Sequence, residues 1–402
     1  METKFKYVLF FFLPVILAGC SDSKTPDKYL NKVLKNLEQI ESAKYNAIHE
    51  AWEPGDTTAV YRECKSIKEY NNPNDSTIGA SYVSVNCDDT TRLDFGYDGN
   101  IRVITYHEHK GLIIDDFTNN RHSFRLVNPP FFNYAKNIIN YMLNTEDSIT
   151  IDFQDLDKEY YYKLTINEDT QVEFFGKAHY MPDNPYIFGE TTSIYELWIN
   201  KSNDLPYKVR REMYHSISAT TCLEPEFNQL AITDLNLQSY FPADYEIRKY
   251  GEKRDTIPVN NMVGHKAPDW TLNDMNGQSI SLTGIKSKVI LINFTGIGCG
   301  PCKVAIPFLN NLKEKYNSDD FELVAIESWV RKQHSLQNYA NKNNIKYNLL
   351  SATDEMLKQY QRGGAVPVFY LLDKDRIIRK TIQGYTKDTT DKEIIDAIDE
   401  LL

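Results

Sequence analysis

Cys299-Gly300-Pro301-Cys302 is the segment that most restricts how this 402-residue chain can fold. The run Val289 to Phe294 before it reads as a strand buried on both faces. The residues after it, to about Tyr316, read as a helix. At a helix N-terminus, two cysteines with this spacing let the first sulfur face solvent while the second turns beneath it, within disulfide reach. Unpaired N–H groups and the positive end of the helix dipole favour a thiolate at Cys299. A thiolate is the species that attacks a disulfide, so Cys299 is the expected nucleophile and Cys302 the residue that resolves the mixed disulfide. Electrons move between sulfurs and no cofactor is required.

Beyond these sulfurs, three segments carry a family resemblance. "FTGIGCGPCKVAIPFL" resembles the thioredoxin active-site segment, including Pro307. "VGHKAPDWTLNDMNGQSISL" resembles the lead-in hairpin of TlpA/ResA-type membrane-anchored thioredoxin-like proteins, a group related to the AhpC/TSA redoxins. "GGAVPVFYLLDKDRII" resembles their cis-proline segment. The match covers roughly residues 263 to 402 and implies a thioredoxin fold there, with a redox disulfide between Cys299 and Cys302. It further implies a cis Val366–Pro367 bond packed against the pair, with the Val366 backbone offering hydrogen bonds to a bound client. Several positions depart from the family. Thr295 and Gly298 stand where tryptophans are usual, which predicts an active-site rim without aromatic cover. Asn293 replaces a buried Asp, Ala305 replaces a frequent Glu, and Arg376 replaces a hairpin glycine. With neither acid present, Cys302 is expected to be a buried thiol of high pKa whose proton goes to water or to a carboxylate elsewhere.

The rest of residues 263–402 alternates strands and helices, as in a mixed sheet covered by helices. Strands are expected at Glu322 to Ile326 and in the hairpin Val368 to Leu372 and Ile377 to Ile382. Helices are expected at Ser335 to Lys342, Asp354 to Tyr360 and the C-terminus. Polar residues 249–262 read as a linker.

Residues 25–248 read differently. An amphipathic helix carries Leu30, Val33, Leu34, Leu37 and Ile40. Strands with polar turns follow, including hairpins at Leu93–Tyr97/Ile101–Tyr106 and Ser193–Ile199/Tyr207–Met213, with a second helix at Phe131 to Leu143. Most of the chain's 27 tyrosines lie before residue 260, consistent with a strand-rich region. The order of helix, meander strands and "ELWINKSNDLPYKV" is similar to the LolA-like lipoprotein-carrier superfamily. That implies an antiparallel half-barrel with an apolar concave face, a possible site for an apolar ligand. The fold class expected for the whole chain is therefore two-domain, α+β followed by α/β.

The N-terminus is an address. Lys4 and Lys6 precede an apolar stretch, Tyr7 to Leu17, too short to span a bilayer comfortably. It ends Leu17-Ala18-Gly19-Cys20, which resembles a bacterial lipobox. The resemblance implies a signal peptide over 1–19, lipid attachment at Cys20, a tether over 20–24, and an extracytoplasmic protein on a bacterial membrane, in the periplasm or at the cell surface. Disulfides persist there. Of six cysteines, Cys64, Cys87 and Cys222 remain. Strands flanking "NNPNDST" bring Cys64 and Cys87 roughly opposite each other as a possible structural disulfide, although Cys222 is an available partner for either.

The expected partners are protein thiols or disulfides and a membrane electron donor or acceptor. A net charge of −11 argues against nucleic acid. No metal is expected: a zinc site needs four ligands, there is no second CxxC, and His107 and His109 read as part of an exposed hairpin. Two other functions remain in play. One is a peroxiredoxin-like peroxidase, although Thr295 is one place off its motif and Ile292 stands where its proline should be. The other is a ligand-binding lipoprotein whose redox domain is accessory.

Overall fold

The computed structural model describes residues 26–53, 56–107, 110–119, 124–182, 191–252, 262–361 and 365–402. The expected signal peptide, tether, Cys20, His109 and most of the 249–262 linker lie outside the described residues.

The first helix, Pro26–Glu38, buries Tyr29, Leu30, Val33 and Leu37 on one face, as its spacing predicts. The second, Phe131–Asn144, follows Pro130, which has no side-chain cap to offer its first turn. Exposed N–H groups at a buried helix end are costly unless paired. Here Glu69, on strand Tyr61–Asn71, caps from a distance. Its carboxylate accepts from the backbone N–H of Asn133 at 2.7 Å and of Phe132 at 3.2 Å, and from the Tyr45 hydroxyl at 2.8 Å. The Tyr45 hydroxyl in turn accepts from the Phe131 N–H.

Both helices pack on one twelve-stranded sheet. From edge to edge its strands are Glu246–Lys249, Gly111–Asp115, Arg102–Tyr106, Leu93–Tyr97, Ala80–Asn86, Tyr61–Asn71, Ser42–Trp52, Ser216–Phe227, Leu205–Met213, Ser193–Asn200, Glu159–Ile166 and Ile149–Asp155. All neighbours are antiparallel except Glu246–Lys249, which runs parallel to Gly111–Asp115. The sheet is open and does not close into a barrel. Its helix-facing side is filled by Leu30, Val33, Phe131, Phe132, Ile138 and Ile139, so the apolar face expected for a ligand is occupied by the chain's own helices. Along Ala80–Asn86 the side chains alternate: Ala80 and Tyr82 enter the helix-covered core, while Val83 and Val85 pack with Leu237 on the other side. That alternation follows from the two-residue period of a strand.

Cys64 and Cys87 are bonded, with Cα atoms 5.5 Å apart and a sequence separation of 23. By loop-closure entropy a bridge of this span is worth about 3 kcal/mol. Cys222 is a free, buried thiol that burial pushes well above its ordinary pKa, with Glu69 adding to the shift. His107 differs from the expected exposed hairpin. Its ring is largely buried, bonded to the Tyr245 hydroxyl and to Asp94, both at 2.8 Å. Sequence alone does not bring the late residue Tyr245 to this hairpin.

The second sheet has five strands in the order Asn348–Ser351, Phe321–Glu327, Val289–Thr295, Val368–Leu372, Ile378–Gln383. The first three are parallel and the last two antiparallel. Val289–Thr295 is central and buried along its whole length. Helices Gly300–Lys315, Gln333–Lys342 and Thr389–Asp399 pack on one face, and Asp354–Gln359 on the other. The cores of the two sheets do not mix: each is drawn from one side of residues 249–262. Arg376 holds the positive φ of +64° that the hairpin glycine would adopt. Its guanidinium donates to the carbonyls of Ser287 and Ile285, which offsets the strain of a non-glycine residue there.

Candidate functional site

Val289–Thr295 ends beneath the turn that carries the cysteines, and Gly300–Lys315 begins on them. Cys299 is the helix N-cap. Its sulfur accepts the Cys302 backbone N–H at 3.2 Å, the role an N-cap oxygen ordinarily plays. Cys299 and Cys302 are joined as a disulfide. Cys299 is 9% exposed and Cys302 is 1% exposed, so one sulfur edges toward a cleft while its partner is enclosed. The Cys299 sulfur lies 3.7 Å from the Val366 carbonyl oxygen, and the Val366–Pro367 bond is cis. The structure thus brings Cys299, Cys302, Val366 and Pro367 to one place. Cys64, Cys87 and Cys222 belong to the other half of the chain.

Asn293 and Ala305 are both buried, and the Asn293 side-chain oxygen has no hydrogen-bond partner among the described residues. A carboxylate does stand nearby on a different strand. Parallel pairing places Glu327 beside Thr295, at the end of Phe321–Glu327. Glu327 is fully buried and accepts from the backbone N–H of Ile297 at 3.4 Å and of Arg331 at 2.9 Å. Burial raises its pKa, and these backbone donors and the Arg331 charge pull it partly back. Sequence reasoning missed it, although an acid closing the apolar run Glu322 to Ile326 was the available signal.

The rim is not bare. Gly298 has φ +88°, a conformation that a side chain rarely adopts, so a tryptophan is disfavoured on this backbone. Trp329 covers the place instead, with ring atoms 3.0 Å from where a Cβ on Gly296 would sit. Ile292 and Thr295 are buried in the central strand.

Over Cys299 lies a cleft of about 590 Å³, open to solvent, which both halves of the chain line. Ile297, Gly298, Lys303, Ser335 and Tyr339 form one wall, and Glu53, Asp56, Tyr214 and His215 the other. Asp56 accepts from the Ser335 hydroxyl at 2.7 Å and the Asn338 amide at 2.6 Å. Glu53 pairs with Arg331 at 3.2 Å. The Lys303 ammonium donates to the Tyr214 hydroxyl and sits over a tyrosine face, 3.8 Å from its centroid. Burial lowers the pKa of His215, with Arg211 adding to the effect.

Comparison with known proteins agrees with this geometry. The AhpC/TSA family model matches residues 263–381. Thiol-disulfide oxidoreductase ResA of Bacillus anthracis is 27% identical over 127 residues, 31% of this chain and 73% of that protein. ResA of Geobacillus thermodenitrificans is 28% identical over 137 residues, 34% of this chain and 78% of that protein. Among solved structures, a thiol:disulfide interchange protein from Bacteroides sp. aligns at 19% identity with a TM-score of 0.31, covering 34% of this chain and 90% of the other. The C-terminal region is thioredoxin-like, and the chain is an oxidoreductase.

Glu327 gives the site a pH signature. A carboxyl whose folded pKa is raised above its ordinary 4.5 binds its proton more tightly in the folded state. Stability is then lost as pH rises above the unfolded value. The unfolding free energy of the natural chain minus that of Glu327→Gln is therefore expected to fall as pH rises above 4.5. Denaturant titrations across that window check it; a difference that stayed constant or grew would contradict it.

Proposed function

We propose that this chain exchanges a dithiol for a disulfide with extracytoplasmic protein partners through Cys299 and Cys302, while anchored to a bacterial membrane by lipid on Cys20. The observation that carries the exchange is the cysteine pair itself. One sulfur caps a helix and borders an open cleft, and its bonded partner is enclosed behind it. The curated relatives named thiol-disulfide oxidoreductase support the same chemistry.

In the reducing direction, the Cys299 thiolate attacks one sulfur of a client disulfide, and the other client sulfur departs with the electron pair. Cys302 then loses its proton and attacks the Cys299 sulfur. The bond to the client breaks, and the client leaves as a second thiol. Two electrons pass from the chain to the client, and the 299–302 bridge re-forms. The opposite direction runs through the same mixed disulfide. Val366, whose carbonyl stands beside the Cys299 sulfur, is placed to hold the client's backbone along this edge. Residues 25–248 and 263–402 act as two domains joined by 249–262, each with its own core.

Two outcomes test this reading. Cys302→Ser is expected to accumulate a client mixed disulfide on Cys299, and Cys299→Ser to accumulate none. Non-reducing electrophoresis with mass mapping reads both, and equal trapping by the two variants would sink the assignment. Natural protein made with its leader is expected to partition into detergent, and Cys20→Ala to lose that partition. A Cys20→Ala protein that stayed equally membrane-bound would remove the lipid anchor.

No helix among the described residues is long and apolar enough to cross a membrane.

A further inference from the structure

Each half of the exchange needs a proton to move. As Cys302 displaces the client, the client sulfur leaves with the electron pair, and an ordinary alkyl thiolate takes up a proton near neutral pH. The positions that supply acids in thioredoxin-like proteins hold Asn293 and Ala305 here. Glu327 lies behind the turn, bonded to backbone N–H groups, and does not line the cleft. The cleft over Cys299 is lined by Glu53, from the far half of the chain. One Glu53 carboxyl oxygen is 3.7 Å from where a Cβ on Gly298 would sit, immediately before Cys299. The missing side chain at Gly298 is what leaves room for it.

We propose that Glu53 is the acid–base group of the exchange, giving a proton to the departing client sulfur and taking it back in the reverse reaction. This rests on the exchange chemistry proposed above and adds a residue of the N-terminal half to it. The atoms balance. The Cys302 sulfur gives up its proton to solvent and forms the bond to Cys299. The bond between Cys299 and the client breaks, with its electron pair staying on the client sulfur. That sulfur takes the proton of Glu53, and solvent returns one to the carboxylate.

Charged and titratable groups face Glu53 from every side. Arg331 pairs with it, Asp56 lies three residues on, and Glu327 lies beneath. Tyr339, Tyr214, His215, Lys303 and Lys342 complete the cleft. Burial lifts the Glu53 carboxyl above the ordinary range; Asp56 and Glu327 add to that, and Arg331 opposes it. A carboxyl so placed holds a proton closer to neutrality, which is what a general acid requires.

The leaving thiol provides the test. An aryl thiol of low pKa departs readily as a thiolate, whereas an alkyl thiolate leaves more slowly and gains more from a proton donor. Mixed disulfides of Cys299 with each are prepared in the full chain, and release is followed by rapid mixing. Glu53→Gln, which keeps a polar partner for Arg331, is expected to slow release of the alkyl thiol by about tenfold or more and to leave the aryl thiol within about twofold. Equal slowing of both, or of neither, would overturn the proposal. In the unaltered protein, release rates over a series of thiols are expected to depend only weakly on the thiol's pKa; a steep dependence would overturn it without any variant. Mixed-disulfide trapping by Cys302→Ser reports on the exchange reading separately, so failure of one is distinguishable from failure of the other.

Discussion

The Asp56 carboxylate, its side chain only 1% exposed, is held between the two halves of the chain by the Ser335 hydroxyl and the Asn338 amide. A charge buried to that degree is tolerated only when its oxygens are bonded, so the pairing fixes where the loop after strand Ser42–Trp52 can lie. Glu53 is then carried to Arg331, and the turn at Tyr214 to Lys303. What encloses Cys299 is therefore not the C-terminal sheet alone. The cleft exists only while these contacts across the halves persist.

The departures around the cysteines become intelligible together. A tryptophan at 298 would occupy the space that Glu53 fills and would need a backbone that its side chain disfavours. With glycine there, a Glu53 oxygen and the Trp329 ring both lie within 4 Å of where a side chain would start. Asn293 and Ala305 supply no acid, and two carboxyl groups flank the turn instead, Glu327 under it and Glu53 over it, with Arg331 in contact with both.

The legible parts of the sequence were those governed by local rules. The buried strand Val289–Thr295, the cysteine turn and the helix after it follow from an apolar run meeting a Cys-x-x-Cys at a helix start. The first N-terminal helix was visible as 3.6-residue periodicity, and the 64–87 pairing only as one option about a polar turn, with Cys222 the competing partner. Glu53, Asp56 and Tyr214 carried no local mark. Their importance comes from an approach between segments separated by most of the chain. The capping of Phe131–Asn144 by Glu69 and the bonding of His107 to Tyr245 escaped for the same reason: each joins residues that only the sheet brings together.

The central claim is that Cys299 and Cys302 form one working redox couple, while Cys64 and Cys87 serve the fold and Cys222 stays idle. It is tested by equilibrating the full chain in thiol–disulfide buffers of graded potential, alkylating the free thiols and locating them by mass. The account predicts that Cys299 and Cys302 become labelled together, in a single two-electron step, at potentials where Cys64 and Cys87 are still bridged. Labelling of Cys299 and Cys302 independently of each other, or a 64–87 bridge that opens first, would contradict it.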